Sequence, residues 1–166
     1  MYMSTEAWLR GPVDGIPPVL QPVAHALVQA LEEVTLLAPG VPITQLWQKR
    51  DAAPAGFHLL HLVGALDRLS TYARGEGLSD VQKAALRAES VAHTELDGAA
   101  LVAMVGAGID RALIQLRETD PARVFDERRV GKAGLPSTVL GLLFHAAEHS
   151  TRHVGQFITT IKLVQS

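Results

Sequence analysis

The sequence predicts an all-α protein, with an antiparallel four-helix bundle and one short extra helix as its architecture. Four long segments carry apolar residues at three-to-four spacing, which is typical of amphipathic helices. No segment alternates apolar and polar residues long enough to predict a β-strand. Long amphipathic helices of this kind pack around one shared core, so residues 1–166 are expected to form a single domain.

The amino-terminal part is expected to contain a lead-in segment and the first helix. Residues 1–16 show no sustained hydrophobic period and form the lead-in. The helix is predicted to begin near Pro17-Pro18, since proline is tolerated in a first turn, and to end at Pro39-Gly40. Its apolar face comprises Leu20, Val23, Ala24, Leu27, Leu31 and Val34. His25 is expected to be a surface or capping histidine.

The second helix is predicted over residues 57–74, after a long Pro-containing connection over residues 41–56 in which Trp47 is expected to cover one end of the core. Gly75 and Gly77 close the helix. Between Phe57 and Leu66 the helix is apolar nearly all round, which is more than one bundle core requires. This excess predicts burial on most sides and favours a homodimer.

Three further segments complete the helical pattern. Ser79-Asp-Val-Gln82 has the capping-box pattern and predicts a short third helix to about Ser90. Thr94 is expected to cap a fourth helix that stops before Asp120-Pro121. A connection over residues 123–135 includes the charged run 126–129, which is expected to be a solvated turn. The final helix is predicted to begin near Pro136 or Ser137 and to run almost to the end.

Composition excludes several classes of function. The formal net charge is -2, and lysine and arginine are scattered, so no basic stripe indicates nucleic-acid binding. No uninterrupted apolar run has membrane-spanning length and the first residues lack a signal-peptide pattern, so a cytoplasmic protein without membrane contact is expected. The chain contains no cysteine, which excludes disulfides and thiolate ligands. Any metal must therefore be held by His, Asp, Glu or water.

The most informative motif is a run of histidines at 145, 149 and 153 in the final helix. With 7 histidines in 166 residues, chance gives only about 0.01 such runs. A step of four residues rotates a helix by only about 40°, so neighbouring members point toward one object. His149 and His153 also fall within an apolar stripe, where unpartnered ring nitrogens are costly. A divalent metal ion satisfies both.

The second helix offers a further ligand, because adjacent helices of a bundle build metal sites from inward-facing side chains. Either His58 or His61 is able to meet His149 and His153, which gives three nitrogens and one open position. Three protein ligands are typical of catalytic zinc, whereas structural zinc closes all four positions. The site is not a zincin, because Ser150 and not Glu follows His149.

These residues resemble the DinB family, the DinB/YfiT-like metalloenzymes. The resemblance rests on His149-Ser-Thr-Arg-His153-Val-Gly-Gln156 near the carboxyl end and on Phe57-His-Leu-Leu-His61-Leu upstream, and it covers most of the chain. It implies a four-helix bundle that binds zinc or nickel through one histidine of the second helix and two of the last. Carried over to this sequence, the ligands are His61, His149 and His153. His61 is preferred to His58 by motif position and helix phase.

The remaining polar residues near the motif have weaker assignments. Glu148 is expected to form a salt bridge with Arg152, and a catalytic role is the alternative. His145 is expected to be a hydrogen-bond donor to a metal ligand, an acid/base group at the mouth of the site or, as the preferred assignment, a partly buried imidazole. Gly155 is expected to permit close packing of a neighbouring helix, and Gln156 to hydrogen-bond the site or its supporting helix.

The resemblance also suggests an activity on a small-molecule substrate. The family includes thiol-dependent transferases and isomerases that act with bacillithiol, mycothiol or glutathione, so a thiol-dependent S-transferase is the favoured hypothesis. An open metal position stabilises a thiolate, and a chain without cysteine fits a nucleophile supplied by a low-molecular-weight thiol. Two alternatives remain: a metal-dependent hydrolase that uses bound water, and a non-catalytic, stress-associated metal-binding bundle.

Overall fold

The computed structural model describes residues 5–165, so residues 1–4 of the expected lead-in, and Ser166, lie outside the described part. The described residues form six α-helices and one two-stranded sheet, which confirms the helical class. In chain order the elements are α1 (Gln21–Leu37), α2 (Ile43–Leu46), α3 (Ala55–Ala73), α4 (Asp80–Ala88), α5 (Gly98–Glu118), β1 (Glu127–Val130), β2 (Leu135–Thr138) and α6 (Val139–Gln165).

The long helices share one hydrophobic core. α3 packs against α6 and α5, and α1 packs against the same two helices. The apolar stripes predicted from the sequence face inward, because burial of one face stabilises an amphipathic helix far more than its intrinsic propensity does. The largest fully buried side chains include Phe157, Leu20, Leu27, Leu59, Leu62, Leu101, Ile109 and Leu116.

The helix starts follow the capping rules, with one difference. A 3-10 turn over Pro18–Leu20 leads into α1, close to the predicted start. At α4 the predicted capping box is confirmed: Ser79 Oγ accepts from the Gln82 backbone N–H at 3.2 Å, and Gln82 Oε1 accepts from the Ser79 backbone N–H at 2.9 Å. α5 is capped by Asp97, whose carboxylate accepts from Ala100 N at 2.8 Å. The prediction of a Thr94 cap is therefore wrong.

A β-hairpin replaces the solvated turn expected over residues 126–129. β1 and β2 pair antiparallel, with Glu127 opposite Thr138 and Arg129 opposite Pro136. Two glycines with positive φ bound the turn, Gly131 at 67° and Gly134 at 61°. Because β2 occupies residues 135–138, α6 begins at Val139 and not at Pro136 or Ser137. The expectation that the chain has no sheet is wrong.

Trp47 belongs to the hydrophobic core. It is 8% exposed, and its indole N–H donates to the Leu96 carbonyl at 2.8 Å. A Cβ added to Gly56 would lie 2.8 Å from the Trp47 ring, so the glycine is needed for this packing. The connection that carries Trp47 also contains α2, which the sequence analysis did not predict.

Among the described residues, α5 is the one helix long and apolar enough to cross a membrane by length and composition. The core helix of a globular protein meets the same criterion. In this structure α5 packs against α1 and α3, and its residues Leu101, Val105 and Ile109 are buried in the core.

Candidate metal centre

The contact between α3 and α6 brings three predicted residues together: His61 from α3, and His149 and His153 from α6. One potential ligand atom of each lies within 4.8 Å of the others. The ring centroids are 5.2 Å apart for His61 and His149, 4.6 Å for His61 and His153, and 4.5 Å for His149 and His153. His153 is buried and the other two are half-buried. The three histidines are close enough to hold a metal ion.

Hydrogen bonds determine which ring nitrogens face this centre. His61 Nδ1 lies 2.8 Å from Glu89 Oε2, so its Nε2 is the atom that faces His149 Nε2, at 3.1 Å. His153 Nδ1 lies 3.2 Å from Nδ1 of the buried His58, which leaves His153 Nε2 for the centre. Two nitrogens bound tetrahedrally to one zinc ion lie about 3.3 Å apart, since each Zn–N bond is about 2.0–2.1 Å. The separation of His61 and His149 is close to this value.

The protons of this cluster cannot satisfy every nitrogen. If Glu89 accepts the Nδ1 proton of His61, the Nε2 atom of His61 presents a lone pair toward His149. His149 is able to donate to it only from Nε2, and its buried Nδ1 then has no proton and, among the described residues, no partner. If the His149 proton lies on Nδ1 instead, the Nε2 lone pairs of His61 and His149 face each other. A cation between the Nε2 atoms would bind both lone pairs and remove their repulsion, so the residues present fit a metal ion.

The environment favours the neutral form of His58, His149 and His153. Burial lowers the pKa of His58 and of His149, and the neighbouring His61 lowers both further. Burial, together with the charges of His61 and His149, lowers the pKa of His153 to about 4. At neutral pH these rings therefore carry the lone pairs that a metal ion requires.

Two charged residues missed by the sequence analysis, Glu89 and Arg68, border the centre. Glu89 is 8% exposed and bridges His61 and Arg68. Burial alone would raise the pKa of Glu89, but hydrogen bonds from His61 and Arg68 outweigh that effect and lower it. No sequence spacing links Glu89 or Arg68 to the histidines of α6. The one sequence indication was that His61 and Arg68 are seven residues apart and so share a helix face.

His145 lies beside the centre, outside the group of three. Its ring centroid is 5.4 Å from that of His149, but its Nδ1 contacts Glu148 Oε1 at 2.7 Å. The side chain is 48% exposed, so the preferred expectation of a partly buried imidazole is wrong. The predicted salt bridge of Glu148 with Arg152 is confirmed, at 2.7 Å. Burial would raise the pKa of Glu148, but hydrogen bonds with His145 and Arg152 and their charges lower it.

Three other residues singled out in the sequence lie away from the cluster. Gly155 is exposed, and a Cβ added there would meet nothing within 4 Å, so the expectation that it permits close helix packing is wrong. Gln156 is exposed and makes no side-chain hydrogen bond to the part of the chain that the structure describes. His25 is half-buried in α1, and its Nε2 contacts the Gly11 carbonyl of the lead-in segment at 2.9 Å.

No protein-family model matches this chain, and no curated protein matches its sequence. Membership of the DinB family therefore stays a prediction that rests on the residues quoted above.

Proposed function

We propose that His61, His149 and His153 bind one divalent metal ion, zinc or nickel, and that this centre is the active site of a DinB-like metal-dependent enzyme. The observation that carries the proposal is the convergence of three imidazoles within 4.8 Å, in which the Nε2 atoms of His61 and His149 face each other at 3.1 Å. Two adjacent helices supply the ligands, which is how bundles build such centres.

The bundle architecture is part of the same proposal. The long helices α1, α3, α5 and α6 each contact two others of the set, and α2 and α4 are short helices outside it. This pattern of contacts supports a DinB-like four-helix bundle in which the metal centre lies between α3 and α6.

An open coordination position follows from the side chains around the three histidines. Within the described residues no fourth metal-binding group joins them. The nearby carboxylates are engaged elsewhere, Glu89 with Arg68 and Glu148 with Arg152. Nδ1 of His58 contacts Nδ1 of His153, the ring nitrogen that does not face the centre, and Nδ1 of His145 contacts Glu148. Three protein ligands with one free position are the pattern of a catalytic metal, which argues against the non-catalytic alternative.

A thiol-dependent S-transferase is the activity that these residues support best. When bound, the metal ion would stabilise the thiolate form of an external thiol and so supply the nucleophile. Three neutral ligands leave the ion's positive charge uncompensated, which strengthens this effect. The chain itself has no cysteine. Phe57, whose ring stacks on His61 with centroids 5.5 Å apart, provides an apolar wall beside the centre.

The hydrolase alternative is less well supported, because it benefits from a free carboxylate that takes a proton from water. Glu89 is held in a buried ion pair and Glu148 accepts from both His145 and Arg152. The pKa of each carboxyl is lowered, which makes both weaker bases. Neither is poised for that role.

Elemental analysis of the purified protein tests the metal site. We expect about one divalent ion per chain, and loss of the ion in His61→Ala, His149→Ala and His153→Ala. His25→Ala and His93→Ala, which lie outside the cluster, serve as matched controls and should retain it. Undiminished metal in the His153→Ala protein would overturn the ligand assignment.

A substrate panel tests the activity. Bacillithiol, mycothiol and glutathione are offered with model electrophiles, and we expect metal-dependent turnover with at least one of them that disappears in His149→Ala. If the metallated protein turns over no thiol but hydrolyses esters or amides, the hydrolase hypothesis replaces this one.

A further inference from the structure

One face of α3 binds a single carboxylate, that of Glu89. His61, Gly64 and Arg68 follow one another at steps of three and four, so they lie along one stripe of the helix. Glu89, the residue directly after α4, lies on this stripe. His61 and Glu89 are 28 residues apart in the sequence, and the fold brings them into contact.

The carboxylate of Glu89 is held on both sides. Oε2 lies 2.8 Å from His61 Nδ1, and Nη1 of Arg68 donates to Oε1. The Arg68 and Glu89 side chains are only 11% and 9% exposed. A buried carboxylate is costly unless it is paired and hydrogen-bonded, and here both conditions are met.

Gly64 makes room for this arrangement. A Cβ added at Gly64 would overlap Oε1 of Glu89 and would lie 2.7 Å from Nη1 of Arg68. Because the clash falls on the part of the side chain that is held from both sides, Glu89 would have to leave its position. A glycine in a helix interior costs about 0.5–1 kcal/mol relative to alanine. In exchange for this destabilisation, the absence of a side chain at position 64 lets the Glu89 carboxylate lie against the surface of α3.

We propose that Glu89 is a positioning residue for the metal centre, which fixes the His61 ring with its proton on Nδ1 and its Nε2 lone pair directed at His149 and His153. Gly64 and Arg68 hold Glu89 in place. This inference rests on the proposed metal function, since it assigns the orientation of one ligand. An Arg68–Glu89 ion pair that served only to join α4 to α3 would need no contact with His61.

The physical basis is the dependence of a metal-binding histidine on its second ring nitrogen. A carboxylate that accepts the Nδ1 proton selects the tautomer with a free Nε2 lone pair and raises the basicity of that nitrogen. Loss of such a partner typically lowers metal affinity about 10–100-fold. Among the three histidines only His61 has a carboxylate partner: His153 contacts His58, and Nδ1 of His149 has none among the described residues.

Zinc affinity of the variants is the first test, measured by competition with a chromogenic chelator. Glu89→Ala should bind zinc about 10–100-fold more weakly. Gly64→Ala should shift in the same direction although it alters no ligand, and the isosteric Glu89→Gln should fall between wild type and Glu89→Ala. The matched control is Glu95→Gln, because Glu95 forms an exposed carboxylate–histidine pair with His93 at 3.1 Å, and it should bind zinc as the wild type does.

The tautomer of His61 is the second test, and it needs no metal. Long-range ¹H–¹⁵N NMR of the metal-free protein at pH 8 should show His61 protonated at Nδ1 in the wild type and in Glu95→Gln, and a shift toward the Nε2-protonated form in Glu89→Ala. Circular dichroism establishes that each variant is folded, and Glu89→Gln preserves side-chain shape if Glu89→Ala is unstable.

The two proposals fail in different ways. Unchanged zinc affinity and an unchanged His61 tautomer in folded Glu89→Gln and Gly64→Ala proteins would overturn the positioning role, while one ion per chain lost in the three histidine variants would still support the metal site. Absence of zinc binding in the wild type would overturn the metal site, and with it the positioning role.

Discussion

The Nε2 atoms of His61 and His149 lie 3.1 Å apart across the contact between α3 and α6. The two residues are 88 positions apart in the sequence, so packing of the two helices and not local structure sets this distance. A tetrahedral zinc ion separates two ligand nitrogens by about 3.3 Å. The fold therefore places these two nitrogens near the separation that a shared zinc ion requires, which would lower the cost of ordering the rings in the proposed metal site.

The metal-free protein is expected to lose stability as the pH falls from 6.5 toward 4. The pKa of His153 is lowered to about 4 in the folded protein, against 6.5 in the unfolded chain. Well above pH 6.5 the ring is neutral in both states, and its contribution to stability is fully present there. Between these values only the unfolded chain gains the proton, so His153 alone costs about 2 kcal/mol by pH 5. His58 and His149, whose pKa is also lowered, act in the same direction.

Urea unfolding with a chelator present, at pH 7.5 and pH 5, measures this effect. Because the pKa of Glu89 and of Glu148 is lowered from 4.5, protonation of these carboxylates changes stability mainly at lower pH. The change in the free energy of unfolding between pH 7.5 and pH 5 is therefore expected to come mainly from the histidines with lowered pKa. His153→Gln should show a smaller difference between the two pH values than the wild type. Equal stability of the wild type at both values would contradict the prediction.

The helical class and much of the histidine cluster were accessible from the sequence. Helical periodicity is a local signal, and burial of the apolar stripes agrees with it. The spacing of four between His149 and His153 guarantees that both rings lie on one helix face. The capping box at Ser79 was also predictable, because its partners are three residues apart.

The parts that the sequence did not reveal depend on contacts between distant segments. β1 consists of Glu-Arg-Arg-Val and has no apolar face of its own, so its pairing is supported by β2 and by Arg128, which donates to the Ala73 carbonyl at the end of α3. Glu89 contacts His61 only after α4 docks on α3. No local sequence pattern distinguishes Arg128 or Glu89 from a charged residue exposed to solvent.

Two glycines are expected to respond in opposite ways to alanine. Gly98 is the first residue of α5, and a Cβ there would overlap the carbonyl of Ala38, which is backbone and unable to move aside readily. Gly98→Ala should lower the free energy of unfolding by about 1–3 kcal/mol. Gly155 is in the interior of α6, where a Cβ meets open space.

Gly155→Ala should therefore raise the free energy of unfolding by about 0.5–1 kcal/mol, because alanine favours a helix. Urea unfolding of both variants beside the wild type measures the pair, and it also tests the revised assignment of Gly155. Destabilisation by Gly155→Ala as large as that by Gly98→Ala would show that the helix face at 155 is covered.

A homodimer is expected in solution, although α3 no longer provides the reason. Most of the apolar residues of α3 are buried within one chain, including Leu59, Leu60, Leu62 and Leu66. Large apolar side chains remain exposed elsewhere, among them Trp8, Leu9, Leu36 and Phe144. Light scattering at micromolar concentration should give twice the chain mass of 17.8 kDa. A strictly monomeric mass over that range would remove the prediction.

The weakest-held helix is expected to be α4. None of its residues is buried. Its contacts with α3 are polar: Gln82 Nε2 donates to Asp67 Oδ2 at 2.7 Å and lies 2.8 Å from Thr71 Oγ1, and Glu89 binds Arg68 just after the helix ends. Segments with few buried apolar contacts open locally at low free energy. The amides of α4 should therefore exchange hydrogen much faster than those of α3 or α6.

Hydrogen exchange followed by mass spectrometry separates these contacts from intrinsic fraying. A hydrogen bond contributes about 0.5–1.5 kcal/mol, so Gln82→Ala should speed exchange in α4 by up to about tenfold and leave α6 unchanged. Lys83→Ala is the control, since Lys83 pairs with Asp80 inside the same helix at 3.1 Å and should have little effect. Protection of α4 equal to that of α6 would mean that contacts beyond these polar ones hold the helix in place.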